Sequence, residues 1–161
     1  MAFRSKAESK ESRSATAERL CMLHQANLDG GRVFREAARV VSDESVAAIC
    51  EDLSRKRQLY AEELEEYLTE HESADHESIT TVVHRAWLDL RASFSSDNPA
   101  AVLAETLRGD RRLRTAYEEA VKDLSGNPVL GLIQRHLREI KADMARVTAL
   151  YEAFHQRDAG E

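Results

Sequence analysis

The sequence predicts an all-α protein built as a bundle of four long helices. Three observations carry this reading. Only two prolines and six glycines occur in 161 residues, so few positions interrupt a helix. Apolar residues recur at alternating steps of four and three along four separate stretches, the spacing of a helix with one buried stripe. Asn-Pro pairs at 98–99 and 127–128 give a helix start twice over, with Asn as N-cap and Pro as first helical residue.

The first predicted helix covers residues 17–41, with a stripe of Leu20, Gly31, Phe34, Ala38 and Val41 that His24 and Asn27 interrupt. Ser42 or Asp43 caps the second, over residues 44–69. Its stripe is Val46, Ile49, Leu53, Tyr60, Leu64 and Tyr67, interrupted by Arg57, and its acidic outer face reads as a solvated surface. Residues 71–98 are too long for a plain turn and hold a short amphipathic helix at 78–94, which carries Trp87. The third helix opens at Asn98-Pro99 and places Leu103, Thr106, Leu113, Tyr117, Val121 and Leu124 inward, with Asp110 among them. Ser125-Gly126 end it. The fourth presents Leu130, Ile133, Leu137, Ile140, Met144, Val147, Tyr151 and Phe154. Residues 1–16 read as a flexible polar tail or a frayed extension of the first helix, 17–156 as the bundle, and 157–161 as a second flexible tail.

A chain of 161 residues is one domain, able to bury about two-thirds of its surface without metal or disulfide. Its net charge of −6 disfavours nucleic acid and anionic membranes as partners. No apolar run approaches the ~18 residues of a membrane span, and residues 1–17 lack the apolar stretch of a secretory signal, so the cytoplasm is the expected location. In a hairpin turning near Ser42, Cys21 and Cys50 end up roughly 18 Å apart along the axis, so both thiols are expected free.

Short links join the first helix to the second and the third to the fourth, which makes each pair an antiparallel hairpin. Two hairpins joined by one long crossover is the ferritin-like topology. A helix of ~26 residues spans about 40 Å, and a ~16-residue helix with extended flanks carries the chain back that far.

Residues 23–38, 57–64, the crossover His84-Arg85-Ala86-Trp87-Leu88-Asp89-Leu90, residues 105–110 and Tyr117 together resemble a bacterial ferritin-like family of four-helix-bundle proteins whose domain is of unknown function. The resemblance covers about residues 20–150 and implies a ferritin-like bundle with no established reaction. Arg32, Val33, Asp110 and Met144 stand where that family's pattern carries an acidic residue, a glycine, a Glu and often a His. Each departure removes or shortens a possible ligand.

A carboxylate-bridged di-iron site takes one Glu from each of two helices and Glu-x-x-His from each of the others. The chain contains no Glu-x-x-His; the fourth helix has the reverse order, His136-x-x-Glu139, beside the apolar stripe, where surface positions are expected. The residues available to a metal are Glu36, Glu63, Glu105, Asp110, His136 and Glu139. More telling are His24, Asn27, Arg57 and Asp110, polar residues at inward positions of three helices. Arg57 and Asn27 each lie ~15 residues from the first turn, and Asp110 ~12 residues into the third helix, so the three are near one level. A buried Arg needs a carboxylate partner. The cluster reads either as a small anion or metal site, or as a satisfied polar layer that fixes helix register.

The favoured expectation is a non-enzymatic bundle without a cofactor that acts by association, including self-association through the Trp87 helix. The alternative is a degenerate di-metal oxidase or iron-storage protein using some of the six residues above.

Overall fold

In the computed structural model the backbone is described for residues 2–69, 98–158 and 160, and the side chains for residues 10–68, 98–157 and 160. These residues form four helices and no strand: α1 (Ala2–Val40), α2 (Glu44–Thr69), α3 (Pro99–Asp123) and α4 (Leu130–Asp158). The helix predicted over 78–94, and Trp87 and His84 on it, lie outside the described residues.

Helix α1 begins at Ala2, so residues 2–16 run as an extension of it rather than as a tail. The physical reason is that, apart from Phe3 and Thr16, this stretch is made of Ala, Lys, Glu, Arg and Ser, and the first four are good helix formers that need no apolar stripe. Among the described side chains of α1 the first buried one is Ala17, so the apolar pattern marks buried positions and not where the helix starts. The Oδ1 of Asp43 accepts from the backbone N–H of Ser45 (3.0 Å) and of Val46 (3.1 Å), which caps α2. Asn98 does the same for α3, accepting from Ala101 N–H at 3.2 Å just ahead of Pro99. Between α3 and α4, Gly126 takes φ of 78°, the left-handed turn that Gly adopts without strain.

The interior falls into two apolar clusters. One gathers Val33, Phe34 and Ala37 of α1 and Val41 just after it with Val46, Ile49, Cys50 and Leu53 of α2, Val102, Leu103 and Leu107 of α3, and Val147 of α4. The other gathers Leu20 and Leu23 with Tyr60 and Leu64, Leu113, Tyr117, Ala120 and Leu124 with Val129, Ile133 and Ile140. Each helix thus passes from one cluster to the other, and each carries buried polar residues near the crossing: Asn27, Arg57, Asp110 and Asp143. Near that level α1 and α2 come close. The Ser54 hydroxyl donates to the Gly31 carbonyl at 2.7 Å, and a Cβ on Gly31 would stand 3.4 Å from the Ser54 carbonyl oxygen.

The observed buried faces differ slightly from the predicted stripes. On α4, His136 and Asp143 are buried while Leu137 and Met144 are only partly so. On α1, Leu23 and Ala37 are buried while His24 and Ala38 are half-buried. In each case a neighbour one residue away lies about 100° round the helix, and choosing the more apolar or the regularly spaced one sets the wrong phase. Cys21 and Cys50 are both free and buried, and burial pushes the Cys50 thiol up to about 11. No helix among the described residues is long and apolar enough to cross a membrane.

Candidate functional site

The polar side chains between the clusters form two arrangements. The first is ionic. Arg57 of α2 and Asp110 of α3 are 0% and 1% exposed, and the guanidinium Nη2 donates to Asp110 Oδ1 at 2.8 Å. Burial works against the Arg57 charge, but Asp110 beside it more than restores it and holds the guanidinium above its ordinary value. Burial in turn pushes the Asp110 carboxyl up, with Arg57 pulling it back. The guanidinium lies 5.9 Å from the Phe34 ring and 5.6 Å from the Tyr60 ring, within cation–π range of both. Nearby Asp143 of α4 is also buried; its Oδ1 accepts from Lys56 (2.6 Å) and Arg146 (3.0 Å).

The second arrangement is a chain of hydrogen bonds through all four helices. Asn27 of α1 donates from Nδ2 to its own helix at Leu23 O (2.7 Å) and to the Tyr117 hydroxyl of α3 (2.8 Å). That hydroxyl lies 3.0 Å from Nδ1 of His136 on α4. His136 Nε2 lies 2.6 Å from Glu63 Oε2 on α2, and Arg135 donates to the other Glu63 oxygen at 2.6 Å. Tyr60 stacks on the His136 ring with centroids 4.2 Å apart and donates its hydroxyl to Glu139 at 2.5 Å. Burial disfavours the Glu63 carboxylate, yet the bonds from His136 and Arg135 outweigh it and hold it below the ordinary range. Burial pushes His136 down and both Tyr60 and Tyr117 up, so all three are neutral near pH 7.

Of the four residues read from the sequence as a polar layer, Asn27, Arg57 and Asp110 are buried, and His24 is half-buried. Arg57 meets Asp110, whereas Asn27 belongs to the other arrangement. The metal candidates are dispersed among other partners. His136, expected on the surface beside the stripe, is fully buried with both ring nitrogens engaged. Both oxygens of Glu63 are taken, Glu139 accepts from Tyr60, Glu105 faces Arg108 at 3.4 Å, and Glu36 is half-buried. Among the described residues no group of three or more His, Cys, Asp or Glu side chains is placed to hold a metal ion.

Sequence reasoning missed Asp143 and the inward turn of His136. The signal that could have found them is their spacing: Ile133, His136, Ile140, Asp143 and Val147 follow steps of three and four as regularly as Ile133, Leu137, Ile140, Met144 and Val147 do.

No curated protein and no solved structure matches the chain. One family does, and it matches residues 15–123, from α1 to the end of α3. That stretch is more than half of the 161 residues and includes Asn27, Arg57, Glu63, Asp110 and Tyr117. The chain belongs to the family described as Domain of unknown function (DUF2383).

Proposed function

We propose that this chain is a non-enzymatic, ferritin-like bundle of two antiparallel hairpins that works in the cytoplasm by association with protein partners, a second copy of itself among them. The observation that carries the reading is the buried Arg57–Asp110 pair. A di-metal bundle keeps its mid-interior carboxylates free for cations. Here the carboxylate of Asp110 already faces a guanidinium, and a metal ion beside that fixed positive charge would be repelled in a medium of low dielectric. The residues present do not fit a paired metal centre, and no step through one is derived. Two features support the hairpin arrangement: Val41 and Val46 share one cluster, and Leu20, Leu23, Tyr60 and Leu64 share the other. Support for self-association comes from the amphipathic sequence pattern around Trp87.

Aerobic loading with ferrous iron tests the reading. We expect no stoichiometric bound iron and no oxo-bridge absorption band. Stoichiometric iron with that band overturns the proposal in favour of a degenerate di-metal oxidase or storage protein. Sedimentation at micromolar concentration tests association, and a strict monomer without partners counts against it.

A further inference from the structure

The hydrogen-bond chain through His136 has a direction, and that direction fixes the protonation state of the histidine. It begins at the Leu23 carbonyl, which can only accept. The Asn27 side-chain atom 2.7 Å away is therefore its NH2, and the same nitrogen gives its second hydrogen to the Tyr117 oxygen at 2.8 Å. The Tyr117 hydroxyl accepts from Asn27 and has its own proton left to give. Its other neighbour is His136 Nδ1 at 3.0 Å, so Nδ1 is bare and accepts. The ring proton is then on Nε2, 2.6 Å from the Glu63 carboxylate, which accepts it. Asn27, Tyr117, His136 and Glu63 donate in sequence from α1 to α3 to α4 to α2. Only the neutral, Nε2-protonated imidazole completes the series.

A proton added to Nδ1 turns that nitrogen into a donor facing the Tyr117 oxygen. The Tyr117 proton then loses its acceptor in a buried site, and the imidazolium charge is added there. The groups that face His136 do not offset this. From α2 come the Glu63 carboxylate and the ring of Tyr60, whose proton is committed to Glu139. From α3 comes Tyr117, which feels the Arg57 charge of α2, and from α1 the neutral Asn27 behind it. On its own helix Arg135 stands beside it and shares Glu63, which weakens that carboxylate's hold on an imidazolium, while Glu139 is partly matched by Arg135 at 3.6 Å.

We propose that this series is a proton-operated clasp: neutral His136 holds α1 to α3 and α4 through Asn27 and Tyr117, and its protonation in mildly acid solution releases α1 at Asn27. The sign follows from linkage. Burial holds the folded-state His136 below its ordinary value of 6.5. The open form therefore takes up the proton first, and the closed form loses stability as pH falls from above that value.

Hydrogen exchange of the full chain at about pH 7.5 and about pH 5.5, corrected for intrinsic rates, reads the clasp at backbone amides of residues 23–31. Protection there is expected to fall by about tenfold for each pKa unit that separates the closed and open forms, once pH lies below both values. In His136→Gln, which cannot titrate but keeps an N–H for Glu63, the acid-induced fall disappears. In Tyr117→Phe, protection of α1 is lower at both pH values and the difference between them shrinks. An equal fall in wild type and His136→Gln overturns the proposal. Should His136→Gln fail to fold, the imidazole nitrogen shifts of the wild-type protein decide: the neutral Nε2–H form near pH 7.5 supports the clasp, and an imidazolium or an Nδ1–H form overturns it.

Discussion

The Arg57–Asp110 pair and the Asn27–Tyr117–His136–Glu63 chain occupy the same interior and handle polarity by opposite means. Along α3 and α4 the two layers are seven residues apart, Asp110 to Tyr117 and His136 to Asp143, about two helical turns. The ionic layer keeps its charges and compensates them with each other. Among the described residues it still leaves Arg57 Nε and Nη1, Asp110 Oδ2 and Asp143 Oδ2 without a hydrogen bond. The second layer is neutral in its buried part (Asn27, Tyr117, His136) and carries its charge at the half-buried end, where Glu63 meets Arg135; it uses the polar atoms of Tyr117, His136 and Glu63 and, among the described residues, leaves Asn27 Oδ1 over. The difference teaches what each layer is vulnerable to. An ionic layer fails when one partner is removed, because the other charge is stranded. A neutral layer fails when a proton is added, because its donors and acceptors are already in one order.

The largest expected effect breaks the ionic layer from one side. Arg57→Ala strands the Asp110 carboxyl and opens a cavity, and is expected to cost about 3–5 kcal/mol in urea unfolding. Arg57→Met also strands Asp110 but fills most of the volume, so it costs less. Equal costs near zero would place Arg57 outside the load of the fold, against its complete burial.

Removing both partners sharpens the comparison. Arg57→Met combined with Asp110→Leu strands nothing, and such replacements range from neutral to a gain of about 1–4 kcal/mol. The double variant should nevertheless keep the wild-type loss of stability between about pH 7.5 and about pH 5.5. A carboxyl raised by burial, as in Asp110, takes up its proton more readily folded than unfolded, so acid does not unfold the protein on its account. His136, lowered by burial, has the opposite sign. Loss of the acid response in the double variant would transfer the pH sensitivity to the ionic layer.

Tyr117→Phe attacks the neutral layer without adding charge. It leaves His136 Nδ1 without its donor and removes one acceptor from Asn27, which still holds Leu23 O. A buried group left unsatisfied costs about 1–3 kcal/mol, so thermal or urea unfolding should show a loss below that of Arg57→Ala. A larger loss would make the neutral layer the stronger of the two.

Much of this interior is legible in the sequence, and the part that is not has a physical reason. Asn27, Arg57 and Asp110 interrupt stripes whose flanking residues, such as Leu53 and Tyr60 around Arg57, leave one phase open, so their inward direction follows from spacing. On α4 both Leu137 and His136, and both Met144 and Asp143, fit a step of three or four. Hydrophobicity then favours the wrong neighbour, because it carries no information about the partners that make a buried His or Asp tolerable. Those partners, Glu63 and Tyr117 for His136 and Lys56 and Arg146 for Asp143, are mostly far away in sequence. The start of α1 is hidden for a related reason: residues 2–16 carry no apolar stripe, and their helix formers mark no boundary.

The smallest expected effect tests whether the two layers depend on the spacing of α1 and α2. Gly31→Ala raises helix propensity by up to about 1 kcal/mol at a mid-helix site. Against this, the new Cβ would stand 3.4 Å from the Ser54 carbonyl, 3.6 Å from Arg57 Cβ and 3.7 Å from Gln58 N, at the near edge of ordinary contact. The two terms oppose each other, so the net change in unfolding free energy should stay within about 1 kcal/mol. The acid response should be unchanged, since Asn27 lies one turn away and is positioned by Leu23 O and Tyr117 rather than by α2. A loss as large as that of Tyr117→Phe would show that the close approach at Gly31 sets the register of both layers, and the contrast between them would then rest on one backbone contact rather than on two kinds of chemistry.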